Sequence, residues 1–361
     1  MTHRLLVLSR YSRMGASSRL RTFQYRPWLE AAGFGVGQAS LFDDNYLERL
    51  YSGQNSKADL LTYYGQRIAD VRRQLKPDLV WIEYEMFPWL PWIIERALLP
   101  TSIPIVCDYD DAVFHRYDQH RLVPVRWILG RKIDRLMRRS VLVTAGNEYL
   151  ADRARRAGAD RVEIVPTVVD LSQYRVRSAS VENPSVQVGW IGTPNTWDSF
   201  GKIVFAQLDK TLALHSARFR AVGAKLTAES IGLLDFVSWS EETEVSAIQD
   251  MDIGVMPLPD TPWARGKCGY KLIQYMACGL PVVASPVGVN SDIVEHGING
   301  FLARTDAEWN DAITTLLRNP DLRHRMGQAG RKKVEEQYSL QVWGPRVASL
   351  LRDVADRGRA S

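Results

Sequence analysis

The sequence predicts an α/β protein built from two doubly wound parallel-sheet domains, and three features support this prediction. The chain has 361 residues, which exceeds the usual size of about 100–200 residues for one domain. Short β-branched or apolar runs alternate with amphipathic segments, as in parallel β/α winding. A polar stretch at 175–185 interrupts this alternation and is predicted to be a linker.

The strand candidates form one series on each side of this linker. They lie at 5–9, 79–84, 103–109, 141–145 and 161–165, and then at 186–191, 218–222, 236–239, 253–258 and 281–285. Helices are predicted at 17–32, 56–75, 122–139, 147–157 and 306–353, the last of these with breaks at Asn319-Pro320 and Gly344-Pro345. We therefore predict domains over 1–174 and 186–340, followed by a C-terminal segment over 341–361.

Composition favours a cytoplasmic protein with an anionic partner. No run approaches the roughly 20 apolar residues of a membrane span, and the N-terminus lacks the core of a signal peptide. The three cysteines, Cys107, Cys268 and Cys278, have no CxxC spacing, which disfavours a disulfide framework and a zinc site. A net charge of +5 is compatible with nucleic acid, phospholipid or a phosphorylated small molecule.

The most informative stretch is 264–285, ARGKCGYKLIQYMACGLPVVAS. Its apolar spacing and Gly279 predict a helix that ends on a glycine cap and leads into a buried strand. Lys267 and Lys271 are predicted at the start of this helix, where cations oppose the helix dipole. A bound diphosphate would remove that conflict. The alternative is a pair of solvated surface lysines.

This helix, cap and strand, followed by VGVN at 287–290 and GINGFL at 297–302, resemble the donor-binding half of the family-four (group 1) retaining glycosyltransferases with the GT-B fold. The resemblance implies two Rossmann-like domains facing a central cleft, with a C-terminal helix that returns to the first domain. It also implies retaining transfer of a sugar from a nucleoside diphosphate donor, without a metal or other cofactor. The implied acceptor is a glycan or lipid-linked sugar in bacterial surface polysaccharide or lipopolysaccharide assembly.

The sequence departs from the family pattern at two places. Gly266 and Gln274 align with the family's paired glutamates, and the Gln274 amide is expected to bind the ribose by accepting one hydrogen bond and donating another. The loop at 192–197 lacks the family's arginine and lysine, so Lys267 and Lys271 are expected to carry the diphosphate charge instead. The other donor-site candidates are Gly15, Gly192, Thr193, Gly223 and Trp239. Core packing and an ordinary strand–helix turn are the alternatives for the tryptophan and for Gly15.

Three carboxylates, Asp108, Asp110 and Asp111, crowd the end of the strand at 103–109 and are expected to raise one another's pKa. By resemblance, Asp110 contacts the transferred sugar and stabilises positive charge that develops on its ring. Asp111, His115 and Arg19 are the acceptor-site candidates, with helix caps and surface acids as the alternative for this carboxylate cluster. Asp108-Tyr109-Asp110 also spells the DxD pattern of a metal site, which is the second mechanism considered.

The basic stretch at 122–139 interleaves cations with apolar residues and is expected either to rest on an anionic membrane surface or to form a solvated helix face. Contact with a membrane would place the protein at the inner face of the cytoplasmic membrane. Two other functions use the same architecture: a nucleotide-sugar epimerase and a non-catalytic nucleotide-sugar binder. No nucleic-acid motif is present, so no nucleic-acid partner is expected.

Overall fold

The computed structural model describes residues 3–52, 54, 59–73, 77–99, 101–176, 185–224 and 232–360. It divides into two compact units. Unit 1 comprises Met1–Thr167, Arg265–Cys268 and Trp343–Ser361, and unit 2 comprises Val168–Ala264 and Gly269–Val342. Each unit is built on a six-stranded parallel sheet, so the predicted α/β class with two doubly wound domains is confirmed. Most of the predicted linker at 175–185 lies outside the described residues.

The sheet of unit 1 has the strand order β2-β1-β3-β4-β5-β6, with every neighbouring pair parallel. Its strands are β1 (His3–Tyr11), β2 (Phe34–Phe42), β3 (Leu79–Glu83), β4 (Ile105–Tyr109), β5 (Leu142–Ala145) and β6 (Val162–Ile164). The winding reverses between β1 and β3, which is where open parallel sheets bind ligands. Strand β2 was not predicted, because Gly35, Gly37 and Gln38 weaken its strand pattern.

Helices cover both faces of this sheet. They are α1 (Ala16–Arg21), α2 (Arg26–Ala31), α3 (Asp44–Ser52), α4 (Asp59–Arg73), α5 (Trp92–Leu98), α6 (His115–Asp118), α7 (Val123–Leu129), α8 (Lys132–Arg139) and α9 (Glu148–Ala157). Two predicted helices are therefore divided. The segment at 17–32 forms α1, a 3₁₀ turn at Phe23–Tyr25 and α2, and the segment at 122–139 forms α7 and α8. Pro27 lies in the first turn of α2 and Gly130 follows α7, and both residues are poor in a helix interior.

The sheet of unit 2 has the order β12-β11-β10-β7-β8-β9 and is also parallel throughout. Its strands are β7 (Gln187–Ile191), β8 (Arg218–Val222), β9 (Leu234–Val237), β10 (Ile253–Met256), β11 (Val282–Ala284) and β12 (Gly300–Leu302). Val283 belongs to one core cluster, whereas Val282 and Ala284 belong to another. Alternate residues thus bury both faces of the sheet. Its winding reverses between β7 and β10.

The helices of unit 2 pack on these two faces. They are α10 (Pro194–Thr196), α11 (Lys202–Leu214), α12 (Glu244–Gln249), α13 (Pro262–Arg265), α14 (Tyr270–Ala277), α15 (Asn290–Ile293), α16 (Asp306–Arg318) and α17 (Pro320–Gln337), with a π-helical turn at Trp197–Gly201. The predicted break at 319–320 is confirmed, since the Asn319 side chain caps α17 by accepting a hydrogen bond from the Leu322 amide.

Pro345 was predicted to end or kink the helix, and the last helix, α18 (Leu340–Ala360), does not end there but runs through it. Contacts inside unit 1 hold its later turns. Arg161 pairs with Asp353 at 2.7 Å, and Arg352 donates to the Ala32 carbonyl at 2.8 Å. These tertiary contacts offset the cost of the proline. Among the described residues, no helix is long and apolar enough to cross a bilayer.

Candidate active site

The residues that follow β7, β8 and β9 converge at the carboxyl edge of the unit 2 sheet. A Cβ atom added to Gly223 would lie 2.2 Å from the Gly192 carbonyl oxygen and 3.2 Å from the Trp239 Cβ. Gly223 also has φ +76°, a conformation that favours glycine. Three predicted donor-site residues therefore meet at one place. Gly192 and Gly223 have no side chains, which lets their backbones approach closely.

The loop after Gly192 is ordered by its own hydroxyl groups. The Thr193 amide donates to the Thr196 Oγ1 at 3.0 Å, and the two threonine hydroxyls lie 3.2 Å apart. Thr193 is exposed at the start of α10. The predicted donor-site residues of this loop thus lie beside the point where the winding of the sheet reverses.

A buried carboxylate, Glu244, links Trp239 to one further donor-site candidate, Gln274. Its Oε1 accepts hydrogen bonds from the Gln274 Nε2 and the Tyr174 hydroxyl, both at 2.7 Å, and its Oε2 accepts from the Trp239 Nε1 at 2.7 Å. Glu244 is 8% exposed and Gln274 is 2% exposed. We call these four residues the Glu244 network. It fixes the indole of Trp239 and the amide of Gln274 in one arrangement.

The network changes what Gln274 offers to a ligand. Its Nε2 contacts both the Tyr174 hydroxyl, at 2.8 Å, and the Glu244 carboxylate, so both amide hydrogens have acceptors. The carbonyl oxygen is the group left for a ribose hydroxyl. Sequence reasoning missed Glu244, although an acid that opens the helix after a predicted strand is a detectable signal.

Helix α14 begins at Tyr270, so Lys271 lies in its first turn and Lys267 lies before it. The predicted helix start was therefore three residues too early. Gly269, the N-cap, has φ +68°, and a side chain there would meet the Ile293 Cδ1 at 2.3 Å. This left-handed residue turns the chain abruptly into the helix.

Lys271 lies next to the end of β7. Its Nζ is 5.4 Å from the centroid of the Trp190 ring, a cation–π contact. A Cβ on Gly192 would lie 2.6 Å from a ring atom of the same tryptophan. Lys271 and Gly192 therefore share one neighbour, which brings a cation to the edge predicted for the diphosphate.

Lys267 belongs to unit 1 and pairs with Asp111 there. Its Nζ lies 2.8 and 3.0 Å from the two carboxylate oxygens. Asp111 raises the pKa of this lysine even though burial alone would lower it. Asn147 holds the segment by donating to the Lys267 carbonyl at 2.9 Å. The predicted donor-site cation and the predicted acceptor-site acid thus neutralise each other in this structure.

The second acid of the cluster, Asp108, is held by Arg21. The guanidinium donates to both carboxylate oxygens, at 2.7 and 2.8 Å, and both side chains are buried. Thr144 donates to the same carboxylate at 2.5 Å. These three hydrogen bonds occupy most of the acceptor positions of the Asp108 carboxylate. Among the described residues, no group of three His, Cys, Asp or Glu side chains is arranged to hold a metal ion.

Asp110 accepts a hydrogen bond from the Tyr84 hydroxyl, which lies 3.1 Å from the Ser17 Oγ. Tyr84 has φ +62° directly after β3, an uncommon conformation for a bulky residue. Burial and the charge of Asp111 raise the pKa of Asp110 to about 6. The expectation of mutually raised pKa values thus holds for this carboxylate.

The remaining candidates in unit 1 have structural partners. Gly15 is the N-cap of α1 and is buried against the Tyr11 ring, where an added Cβ would lie 2.3 Å from the Tyr11 Cβ. Arg19 is buried and donates to the Arg13 carbonyl at 3.3 Å. The ring nitrogens of His115 lie 2.8 Å from Asp118 and 2.8 Å from the Tyr149 hydroxyl.

A buried glutamate that was not predicted, Glu83, ends β3 beside this cluster. Its Oε2 accepts from the Ser18 hydroxyl at 2.6 Å and from the Arg10 amide at 2.9 Å. Its Oε1 is buried without a hydrogen-bond partner among the described residues. Burial raises the pKa of Glu83 to about 7, and the nearby charges of Asp110 and Asp108 add to this.

We expect Glu83→Gln to change how stability depends on pH. The folded state raises the pKa of Glu83 from 4.5 to about 7, so it binds a proton that the unfolded chain has released. The wild-type free energy of unfolding should therefore fall by about 3 kcal/mol, relative to the variant, as the pH rises through this interval. Urea denaturation across this range measures the effect. Glu48→Gln, at an exposed position, is the control, and parallel curves for wild type and Glu83→Gln would contradict the assignment.

Comparison with known proteins identifies both halves of the chain. Residues 186–319 match the family model described as "Glycosyl transferases group 1", and residues 40–173 match "Glycosyltransferase Family 4". The human alpha-1,3/1,6-mannosyltransferase ALG2 is 38% identical over 71 residues, 19% of this chain and 17% of that protein. The N-acetyl-alpha-D-glucosaminyl L-malate synthase of Bacillus anthracis is 32% identical over 88 residues, 24% of this chain and 23% of that protein. The matched segments thus span about a fifth of these relatives' lengths.

Solved structures match nearly the whole chain. Sucrose-phosphate synthase from Thermosynechococcus elongatus has a TM-score of 0.72 at 15% identity, covering 98% of this chain and 99% of that one. Anabaena Alr3699/HepE in complex with UDP-glucose has a TM-score of 0.70 at 16% identity, covering 97% and 99%. The predicted resemblance is confirmed. With a matched domain in each half and the fold of these structures, the chain belongs to the family-four, group 1 glycosyltransferases with the GT-B fold.

Proposed function

We propose that the chain transfers a sugar from a nucleoside diphosphate donor to a glycan or lipid-linked acceptor, with retention of configuration and without a metal. The observation that carries this proposal is the carboxyl edge of the unit 2 sheet. There Lys271 lies in the first turn of α14 beside the loop of Gly192, and the Glu244 network presents Trp239 and Gln274. An amino group and helix amides suit the phosphates, an indole suits the base, and a carboxylate suits the ribose hydroxyls.

In this proposal the carboxylate missing from the Gln274 position is supplied by α12. Glu244 lies within hydrogen-bond distance of the Gln274 amide, so the pair keeps one negative charge where the family carries a glutamate. The ribose hydroxyls donate to the Gln274 carbonyl and to the Glu244 carboxylate. Glu244 thus takes the place of the family glutamate that aligns with Gln274.

In the proposed transfer, charge is stabilised by Lys271, Lys267 and Asp110. Lys271 neutralises the charge that grows on the departing diphosphate, and Lys267 adds to it when the donor's negative charge competes with Asp111. Asp110, held by Tyr84, stabilises positive charge on the sugar ring as its bond to the phosphate loosens. Amino groups that take the leaving-group charge make a divalent ion dispensable.

We also propose that the chain acts in bacterial surface polysaccharide assembly and contacts the inner face of an anionic membrane through 122–139. Arg126 is exposed on α7, Arg135 and Arg138 are exposed on α8, and Arg131 is exposed at the N-cap of α8. Trp127 on α7 is 87% exposed. An exposed indole beside exposed cations suits the boundary between lipid headgroups and acyl chains.

Thermal shift with uridine, guanosine and thymidine diphosphate sugars, with and without chelator, tests the proposed transfer. Anabaena HepE was solved with UDP-glucose, which makes UDP-sugars the first donors to try. One base should stabilise the protein strongly, and turnover with an acceptor should survive chelation. Stabilisation by none of these donors, or an isomerised sugar from donor alone, would contradict the proposal. The second outcome would identify an epimerase.

A further inference from the structure

Unit 1 contains a basic groove outside the candidate active site. The groove measures about 510 Å³ and lies between α5 and α8. Helix α5 contributes Trp92, Ile93 and Arg96, and helix α8 contributes Arg135, Arg138 and Arg139. Four guanidinium groups therefore line one concave surface, which nothing in the proposed transfer of the sugar uses.

The charge of this groove is not cancelled by the acids of its own helices. Glu95 of α5 is buried and pairs with Lys132 at 2.8 Å, and Asp134 of α8 pairs with Arg153 at 2.7 Å. Among the ion pairs of the described residues, none involves Arg96, Arg135 or Arg138. The groove is thus an electropositive concavity that suits an anion with several acceptor oxygens.

One wall of the groove is apolar and exposed. Ile93 lines it and is 64% exposed, and Trp89, four residues earlier in the sequence, is also exposed. The Trp89 ring lies 5.8 Å from the His120 ring, and His120 accepts a hydrogen bond from the amide of Leu122. The contacts of His120 thus link Trp89, which precedes α5, to Leu122, which precedes α7 and is itself exposed.

We propose that this groove binds the phosphate of an anionic phospholipid headgroup while the adjoining apolar residues enter the acyl region. The inference rests on the membrane contact proposed above and makes it specific. A free phosphate or a nucleic acid would match the arginines but would leave Ile93, Trp89 and Leu122 in water. A lipid matches both parts of the surface. Arg139 shapes one end of the groove, because it donates to the Thr101 carbonyl at 2.9 Å.

Two charge-matched variants, one at the N-cap of α8 and one within that helix, test this proposal. Arg131 and Arg135 are both exposed, and of the two only Arg135 lines the groove. Vesicles of phosphatidylglycerol mixed with phosphatidylcholine, and of phosphatidylcholine alone, are sedimented with each variant. Arg135→Gln should weaken binding to the anionic vesicles by ten-fold or more, on the scale of a lost charge-assisted hydrogen bond. Arg131→Gln should weaken the same binding by about five-fold or less, which is the contribution of one basic residue near an anionic bilayer surface.

Equal losses of vesicle binding for Arg131→Gln and Arg135→Gln would overturn the proposed phosphate site in the groove. Such a result would indicate attraction between the bilayer and any exposed cation. If the wild-type protein binds anionic vesicles no more strongly than neutral ones, both the proposed phosphate site and the proposed contact with an anionic membrane are overturned. A second pair of variants tests the apolar wall. Ile93→Ser should weaken vesicle binding, whereas Leu61→Ser, at an exposed position on α4, should not. Thermal melts check folding, and nucleotide-induced thermal shifts of the same variants keep a failure here distinct from a failure of the proposed transfer.

Discussion

Lys271→Ala should lower kcat/KM for the nucleotide sugar by about 100- to 1,000-fold, the scale of removing one preorganised group from a developing anion. Lys271 is the cation in the first turn of α14, and the loop at 192–197 contains no arginine or lysine to replace it. Both ground-state binding and turnover should fall, because the diphosphate is charged before and after the bond breaks. Steady-state kinetics and calorimetric titration with the donor measure the two effects.

Lys210→Ala provides the matched control, since Lys210 is exposed on α11 of the same unit. It removes the same charge and should leave kinetics near the wild-type values. Lys271→Arg should recover only part of the loss, because a planar guanidinium does not reproduce the position of an ammonium group over the Trp190 ring. Near-normal kinetics of Lys271→Ala would refute the assigned role.

Asp110→Asn should lower kcat by about 100-fold or more while changing the donor KM little. The amide keeps the shape and can still accept a hydrogen bond from Tyr84, but it cannot offset positive charge on the sugar ring. Burial and Asp111 raise the pKa of Asp110 to about 6, so wild-type kcat should rise as the pH increases through that value and the carboxylate ionises. The variant should lose this acidic limb.

The control for this substitution is Asp160→Asn, which removes one exposed carboxylate from unit 1. Tyr84→Phe is a further comparison, because it leaves the carboxylate in place and removes its hydrogen-bond donor. It should lower kcat less than Asp110→Asn and shift the acidic limb to higher pH, since the ionised form loses a stabilising contact. An unchanged pH profile in both variants would exclude Asp110 from the chemistry.

The fold could be predicted because most of its strands are continuous apolar runs of the kind that parallel sheets bury on both faces. Strand β12 escaped prediction because its three residues begin with glycine and include no β-branched residue. Helix α18 was misjudged at Pro345 because contacts far along the chain hold it. Periodicity reports local preference, whereas such contacts are decided by tertiary packing.

The candidate site was predictable only in part, for a related reason. Gly192, Gly223, Trp239 and Gln274 were selected by their places after strands, and the structure brings them to one sheet edge. Glu244 was not selected, because its significance depends on facing Gln274 across 30 positions of sequence. Likewise, the pairing of Lys267 with Asp111 joins residues 156 positions apart, which no local pattern predicts.

The most direct measurement is a crystal structure with a bound nucleoside diphosphate. We expect the diphosphate to lie over the first turn of α14, with an oxygen about 2.7–3.2 Å from the Lys271 Nζ. The ribose hydroxyls should lie against Gln274 and Glu244. An ordered nucleotide bound elsewhere on the chain, with this edge of the unit 2 sheet vacant, would contradict the account.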